Sequence, residues 1–463
     1  MTAKRCREMF LASVALASGV GCGQSLHEET ASPSPARAAP AVQRQATVAA
    51  ARARGSSAVA RTRATGMDAP FLGRSALARG HTQAKALGSA KQTASPLGDL
   101  WNPPAPQVLA VFGEVLAAPK LVPVFYSNDP MMPQLLDMEQ RLGGSAYWAP
   151  TAEYGVAAAT VLAPIVLTAS PPARLSNAEV DALAANLAAS GPAPDPDSIY
   201  VLHFAASTTI TLNGGTWESC KQFGAYHAST FLPSGQQVAY AVIPRCDGYL
   251  GFHGLDDVTY AISHEVVEAA TDPFGNGYID TDWQASGWAV AFEGGLGAEL
   301  GDFCEFQTDP STRDPSVGGY LVQRYYSNKS ARAWHDPCVP APNRAYFNAQ
   351  PIVTGTSVGT FTWAKGVSIA PGSRVTVPVK LFSDTPTGDW QLSAEEEVNP
   401  HLPPPSGELS FSFDVPHGKN GDVRFLTITR KALAAGEIAR VLPFAIVSTL
   451  GTTKNVWWVV VGQ

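Results

Sequence analysis

Ile262-Ser263-His264-Glu265-Val266-Val267-Glu268-Ala269-Ala270-Thr271-Asp272-Pro273 is the stretch on which the reading of this chain turns. The run from Asp257 to Thr271 reads as a helix that stops at Asp272-Pro273, because a residue before proline is biased away from the helical region. On such a helix His264 and Glu268 are i and i+4, so both side chains leave one face and can hold a single metal ion. Glu265 lies beside them, where it can act on a metal-bound water. This is the logic of the H-E-x-x-H metallopeptidase helix, with Glu268 in place of the second histidine.

A metal needs a third protein ligand. Downstream, Gly297-Ala298-Glu299-Leu300-Gly301-Asp302-Phe303-Cys304-Glu305 sets three carboxylates at three-residue spacing around a cysteine. Asp302 is the first choice and Glu299 the second, since a carboxylate beside a disulfide is a stiff ligand. Solvated or salt-bridged carboxylates are the competing reading. Zinc is the expected ion because His264 is a borderline donor, while the carboxylate-rich set keeps Mn, Mg and Ca open. A purely structural Ca site is the rival. Two carboxylate ligands would make zinc a weaker Lewis acid, so Glu265 carries more of the proton transfer as general base. His227 and His253 are candidates to stabilise an oxyanion, against the plainer reading of hydrogen-bonded structural histidines.

Working outward, the 463 residues are 45% hydrophobic and only 15% charged, with formal net charge -7. That balance argues against a nucleic-acid partner, which calls for a basic patch. The 41 Gly and 37 Pro beside so few charges point to a loop-rich exported protein. Lys4, Arg5 and Arg7 followed by an apolar run from Met9 to Val20 have the layout of a secretory signal. Ser18-Gly19-Val20-Gly21-Cys22 resembles a bacterial lipobox, with Gly19 where Leu is usual. Residues 1–22 are therefore expected to be a leader whose Cys22 takes a lipid anchor in the membrane, with cleavage and secretion as the alternative. The expected location is the bacterial cell envelope, as an outer-membrane lipoprotein, or the extracellular space.

Residues 23–99 are rich in Ala, Arg, Ser and Pro and read as a flexible tether. Their arginines could touch anionic lipid or polysaccharide, although a solvated spacer is the blander reading. With Cys6 lost in the leader and Cys22 lipidated, Cys220, Cys246, Cys304 and Cys338 form an even set for an oxidising compartment. Pairing sequence neighbours, Cys220 with Cys246 and Cys304 with Cys338, closes the shorter loops. A zinc–thiolate site is the weaker alternative, because no C-x-x-C spacing occurs.

Residues 100–339 are expected to form an α+β domain. Leu121 to Tyr126, Thr160 to Thr168, Ser198 to Phe204 and Val238 to Ile243 read as strands. Met132 to Leu142 reads as a helix, and Ser176-Asn177-Ala178-Glu179 as a capping box opening another. Residues 340–463 follow a Pro-rich linker. Their short runs at Gly359 to Trp363, Ser373 to Leu381, Trp390 to Ser393, Leu409 to Val415, Val423 to Ile428, Pro443 to Ser448 and Val456 to Val461 suggest an immunoglobulin-like accessory sandwich.

Ser263-His264-Glu265-x-x-Glu268 with Thr271-Asp272-Pro273, then Glu299 to Glu305, then Tyr326-Ser327-Asn328, resemble the EXORDIUM or phosphate-induced protein family and its secreted bacterial relatives. Val122 to Tyr126, Tyr147-Trp148, Glu153-Tyr154, Cys220 and Gly224-Ala225-Tyr226-His227 add to the resemblance, which spans about residues 119 to 338. Tyr326 stands where the family tends to have Trp. The resemblance implies a zincin-like fold carrying a metal site. The leading expectation is thus an exported, lipid-anchored, zinc-dependent hydrolase, a metallopeptidase that uses His264, Glu268, Asp302 or Glu299 as ligands and Glu265 as base. Its substrate would be a peptide or a cell-envelope polymer. The second expectation is a non-catalytic envelope or matrix-binding protein with a structural metal site.

Overall fold

A computed structural model describes residues 106–110, 113–190, 195–249, 251–280, 287–288, 298–305, 307–358, 363–396, 406–434 and 436–462. The expected leader, lipid-anchor cysteine and tether lie outside these residues, as do positions 359–362 of the first expected strand after the linker.

Strand β1 (Lys120–Tyr126) is buried along nearly its whole length and stands inside a six-stranded sheet. Helix α1 (Met132–Leu142) follows, with Pro133 in its first turn and Leu135, Met138 and Leu142 on its buried face. The expected strand over Thr160 to Thr168 is two short ones, β2 (Thr160–Val161) and β3 (Ile165–Leu167), both parallel to β1. Ser176 opens α2 (Asn177–Ala189) through a complete capping box with Glu179. Strands β4 (Ser198–His203), β5 (Tyr226–Phe231) and β6 (Gln237–Ile243) complete the sheet in the order β2-β1-β4-β6-β5. Here β4 runs parallel to β1 and β6, while the edge strand β5 is antiparallel to β6.

Against this sheet lies α3 (Leu255–Thr271), which carries the decisive motif and is buried on nearly every side. Asp256 and Asp257 in its first turn suit the positive end of its dipole. One side of α3 packs on β4, β5 and β6, and the other on β7 (Leu321–Gln323). Aromatic hydroxyls lock this packing. Tyr147 Oη donates to the carbonyls of Gln323 (2.8 Å) and Ser263 (3.3 Å), and Tyr154 Oη donates to that of Tyr326 (2.9 Å). Tyr326 is itself fully buried, in ring contact with Phe303 and Trp288.

Beyond Val339 the strands β8 (Phe347–Pro351), β9 (Arg374–Ser383), β10 (Trp390–Glu395), β11 (Leu409–Phe413), β12 (Val423–Arg430), β13 (Leu442–Leu450) and β14 (Thr453–Gly462) form two sheets. One has the order β8-β9-β12-β11; the other is built on β14-β13-β10 with a two-residue strand at each edge. Their inner faces meet through Phe347 with Trp390 and Phe411 with Phe444. Trp457 of β14 also touches Trp288, so one hydrophobic cluster runs from Val108 to Val461.

The fold class differs from expectation. An α+β zincin-like domain with an H-E-x-x-E helix, followed by an immunoglobulin-like sandwich, was expected, but the described residues are 36% strand against 20% helix, with few short helices and many sheets. The helix α3 exists; the described residues around it do not form a clear zincin fold. The physical reason is that a motif on one helix specifies only which side chains share a face. The segment from Ser311 to Val339 pairs instead as ribbons two or three residues long, Ser311–Arg313 with β7 and Tyr325–Tyr326 with Cys338–Val339. Strands that short show no periodicity in sequence. No helix among the described residues is long and apolar enough to cross a membrane.

Candidate metal centre

Four separate segments supply the candidate site. Helix α3 presents His264, Glu265 and Glu268, and β5 brings His227 across from the sheet edge. The segment 298–301 and the helical turn α4 (Asp302–Glu305) bring Glu299, Asp302 and Glu305. Strand β7 brings Gln323. The turn is anchored by a disulfide: Cys304 is bonded to Cys338, and Cys220 to Cys246, the pairing expected from loop length.

His264 Nε2 lies 2.9 Å from Glu268 Oε2, 3.6 Å from Asp302 Oδ1 and 4.0 Å from Glu265 Oε1. The other oxygen of Glu268, Oε1, accepts from the backbone N–H groups of Gly301 (2.9 Å) and Asp302 (3.2 Å). Gly301 is required there, since a Cβ would lie 2.7 Å from both Glu268 Oε1 and His264 Nδ1. Asp302 Oδ2 accepts from the Glu299 N–H at 2.9 Å, which aims Oδ1 at His264.

His264 Nδ1 faces Gln323 Oε1 at 2.8 Å, and Gln323 Nε2 donates to the Gly301 carbonyl at 2.7 Å. An amide oxygen can only accept, so Nδ1 carries a proton and Nε2 is the nitrogen turned toward the carboxylates. Gln323 is fully buried and was not foreseen from sequence. Its one signal there is a polar residue between Val322 and Arg324, just before the buried pair Tyr325-Tyr326, with nothing to say that it faces a helix 59 positions away.

On the other side of Glu268, His227 Nδ1 lies 3.5 Å from Glu265 Oε2 and 3.7 Å from Glu268 Oε2, and His227 Nε2 lies 3.4 Å from Glu299 Oε2. The expected ligand Glu299 therefore stands beside His227, while Glu305 joins His264 and Asp302. His253 is elsewhere, exposed and paired with Asp247 at the turn before α3.

Among the described residues no lysine or arginine pairs with Glu265, Glu268 or Glu299. The histidines answer the charge instead. Burial alone would lower the pKa of His264, but the charges of Glu268, Glu265 and Asp302 outweigh it and hold the imidazole well above its ordinary range. His227 is raised in the same way, against its burial, by Glu265 and Glu268. Burial pushes Glu268 up, yet His264 and His227 bring it below the ordinary glutamate value. Glu299 has no such relief: burial, then the charges of Asp272, Glu268 and Asp302, raise it well above that value. Two histidines at opposite ends of a carboxylate cluster, with an N/O-only donor set, are suited to a divalent cation such as Zn or Mn. No family model matches this chain, and neither does any curated protein.

Proposed function

We propose that the chain is a zinc-dependent hydrolase of the bacterial cell envelope, acting on peptide bonds, and a relative of the EXORDIUM family. One observation carries this reading. Two histidines and five carboxylates, drawn from segments up to 78 residues apart between His227 and Glu305, converge without a lysine or arginine partner on Glu265, Glu268 or Glu299. His264 would hold the cation with Glu268 and Asp302, and Gln323 keeps the His264 Nδ1 proton in place so that Nε2 stays free to bind. A bound divalent cation supplies Lewis acidity toward a carbonyl oxygen and makes a bound water more acidic. Glu265 accepts the proton as water oxygen bonds to the carbonyl carbon, and returns it to the leaving nitrogen as the C–N bond breaks. His227, 3.5 Å from Glu265 Oε2, is suited to donate toward the developing oxyanion.

The alternative, a non-catalytic envelope or matrix-binding protein with a structural metal site, is favoured by the depth of the cluster. The His227 and His264 side chains are only 11% and 12% exposed. Substitution of Glu265 by Gln separates the two. On the hydrolase reading, Glu265→Gln keeps the fold and the cation on His264 while peptide hydrolysis falls at least 100-fold, the order expected for loss of a general base. Hydrolysis that persists in this variant, or in chelator-stripped protein, would overturn the reading.

A further inference from the structure

We propose that this cluster takes two divalent cations: one on His264, Asp302 and Glu305, and a second on His227, Glu265 and Glu268. The inference rests on reading the cluster as a cation site and goes beyond it in number and in ligands. Each trio offers one histidine nitrogen and two carboxylate oxygens within 4.8 Å of one another, and the two trios share no residue.

The separations within each trio are those of a shared ion. Bonds of about 2.0–2.2 Å in a tetrahedral arrangement place ligand atoms about 3.4 Å apart. His227 Nδ1 stands 3.5 Å from Glu265 Oε2 and 3.7 Å from Glu268 Oε2, and His264 Nε2 stands 3.6 Å from Asp302 Oδ1. All three are longer than a good hydrogen bond between these groups. The 2.9 Å separation of His264 and Glu268 is shorter than such an edge, and in the two-ion arrangement Glu268 serves the ion on His227.

Glu265 supplies the independent observation. Its side chain is only 6% exposed, and its contacts are the two histidines, at 3.5 Å from Oε2 and 4.0 Å from Oε1. A carboxylate that deep normally accepts several hydrogen bonds, and contacts as long as these offset only part of its desolvation cost. A cation on the His227 side would meet Oε2 and leave Oε1 turned toward the His264 side, where it can still take a proton. Charge points the same way: one divalent ion balances two of the five carboxylates, whereas two balance four. Paired ions about 3.5–4 Å apart are a familiar clamp for hydrolysis, and Glu268, between the two histidines, is the residue able to touch both.

The test uses the full chain, stripped with chelator, dialysed against Zn2+ and assayed by elemental analysis, with Mn2+ loading followed by electron paramagnetic resonance. Two Zn per chain are expected, falling to one in His227→Gln, and the Mn-loaded wild type should show a spin-coupled pair that His227→Gln replaces with an isolated ion. Far-UV circular dichroism and a thermal melt confirm that the variant is folded. One Zn per chain that is indifferent to His227→Gln would overturn the second site and leave the single-cation reading standing. One Zn lost in both His227→Gln and His264→Gln would also overturn it, showing one ion shared by both histidines. No Zn at all would overturn both readings.

Discussion

Gly301→Ala is the sharpest probe of the candidate site, because its expected effect comes from packing and holds whatever the ion. The added methyl would sit 2.7 Å from Glu268 Oε1, 2.7 Å from His264 Nδ1 and 2.9 Å from His264 Cε1. None of these atoms is the loose end of an exposed side chain. Glu268 is held by two backbone N–H groups and His264 by Gln323, inside a buried helix. Relief requires both to move by roughly half an ångström or more, an overpacking cost of about 1–3 kcal/mol. Displacing the imidazole also weakens its hydrogen bond to Gln323, worth about 1 kcal/mol. We expect metal-free Gly301→Ala to be about 2–4 kcal/mol less stable than wild type in urea denaturation. Its zinc affinity should drop about 10- to 100-fold, the usual result of disturbing the groups that orient a ligand. Gly388→Ala is the control, since a Cβ there meets nothing within 4 Å. It should change stability by no more than about 1 kcal/mol. Equal stability of Gly301→Ala and wild type, with unchanged zinc uptake, would refute the claim that this glycine is needed for the contact between α3 and the 298–305 segment.

Two further outcomes follow from other parts of the molecule. The Cys304–Cys338 bridge spans 34 residues, so Cys304→Ser with Cys338→Ser should cost about 3–4 kcal/mol by chain entropy and weaken zinc binding through Asp302; an unchanged melting temperature would argue against it. Asp257 is buried on α3 and accepts from the Cys246 N–H, and burial, with the Asp247 charge, raises its pKa to about 6. A folded-state pKa above the unfolded one means that the contribution of this group is complete below about pH 4 and is lost as pH rises through about 6. Asp257→Asn has no such loss, so its stability relative to wild type should increase by about 1–2 kcal/mol from pH 4 to pH 7, after discounting for solvent screening. Parallel stability curves would count against this.

Much of the local structure was legible in the sequence because it is local. The capping box at Ser176, the helix Met132–Leu142 and the stop at Asp272-Pro273 depend on neighbours within a turn or two, and the chain adopts them as read. The helical spacing of His264, Glu265 and Glu268 likewise follows from a period of 3.6 residues. The two disulfides matched the shortest loops, an entropic argument that needs no coordinates.

Tertiary structure decided the rest. Gln323 meets His264 across 59 residues, and His227 meets Glu265 across 38, because β7 and the edge strand β5 both pack against one buried helix. No periodicity encodes such a meeting. That Glu299 stands by His227 while Glu305 stands by His264 depends on how one disulfide-tied turn is rotated against α3. The preponderance of β-structure was hidden for a related reason: strands two or three residues long are stabilised by the partner they find, not by a pattern of their own. Sequence alone thus determined which groups line one face of a helix. The fold determined what faces them, because contacts between distant segments are set by the packing of whole elements.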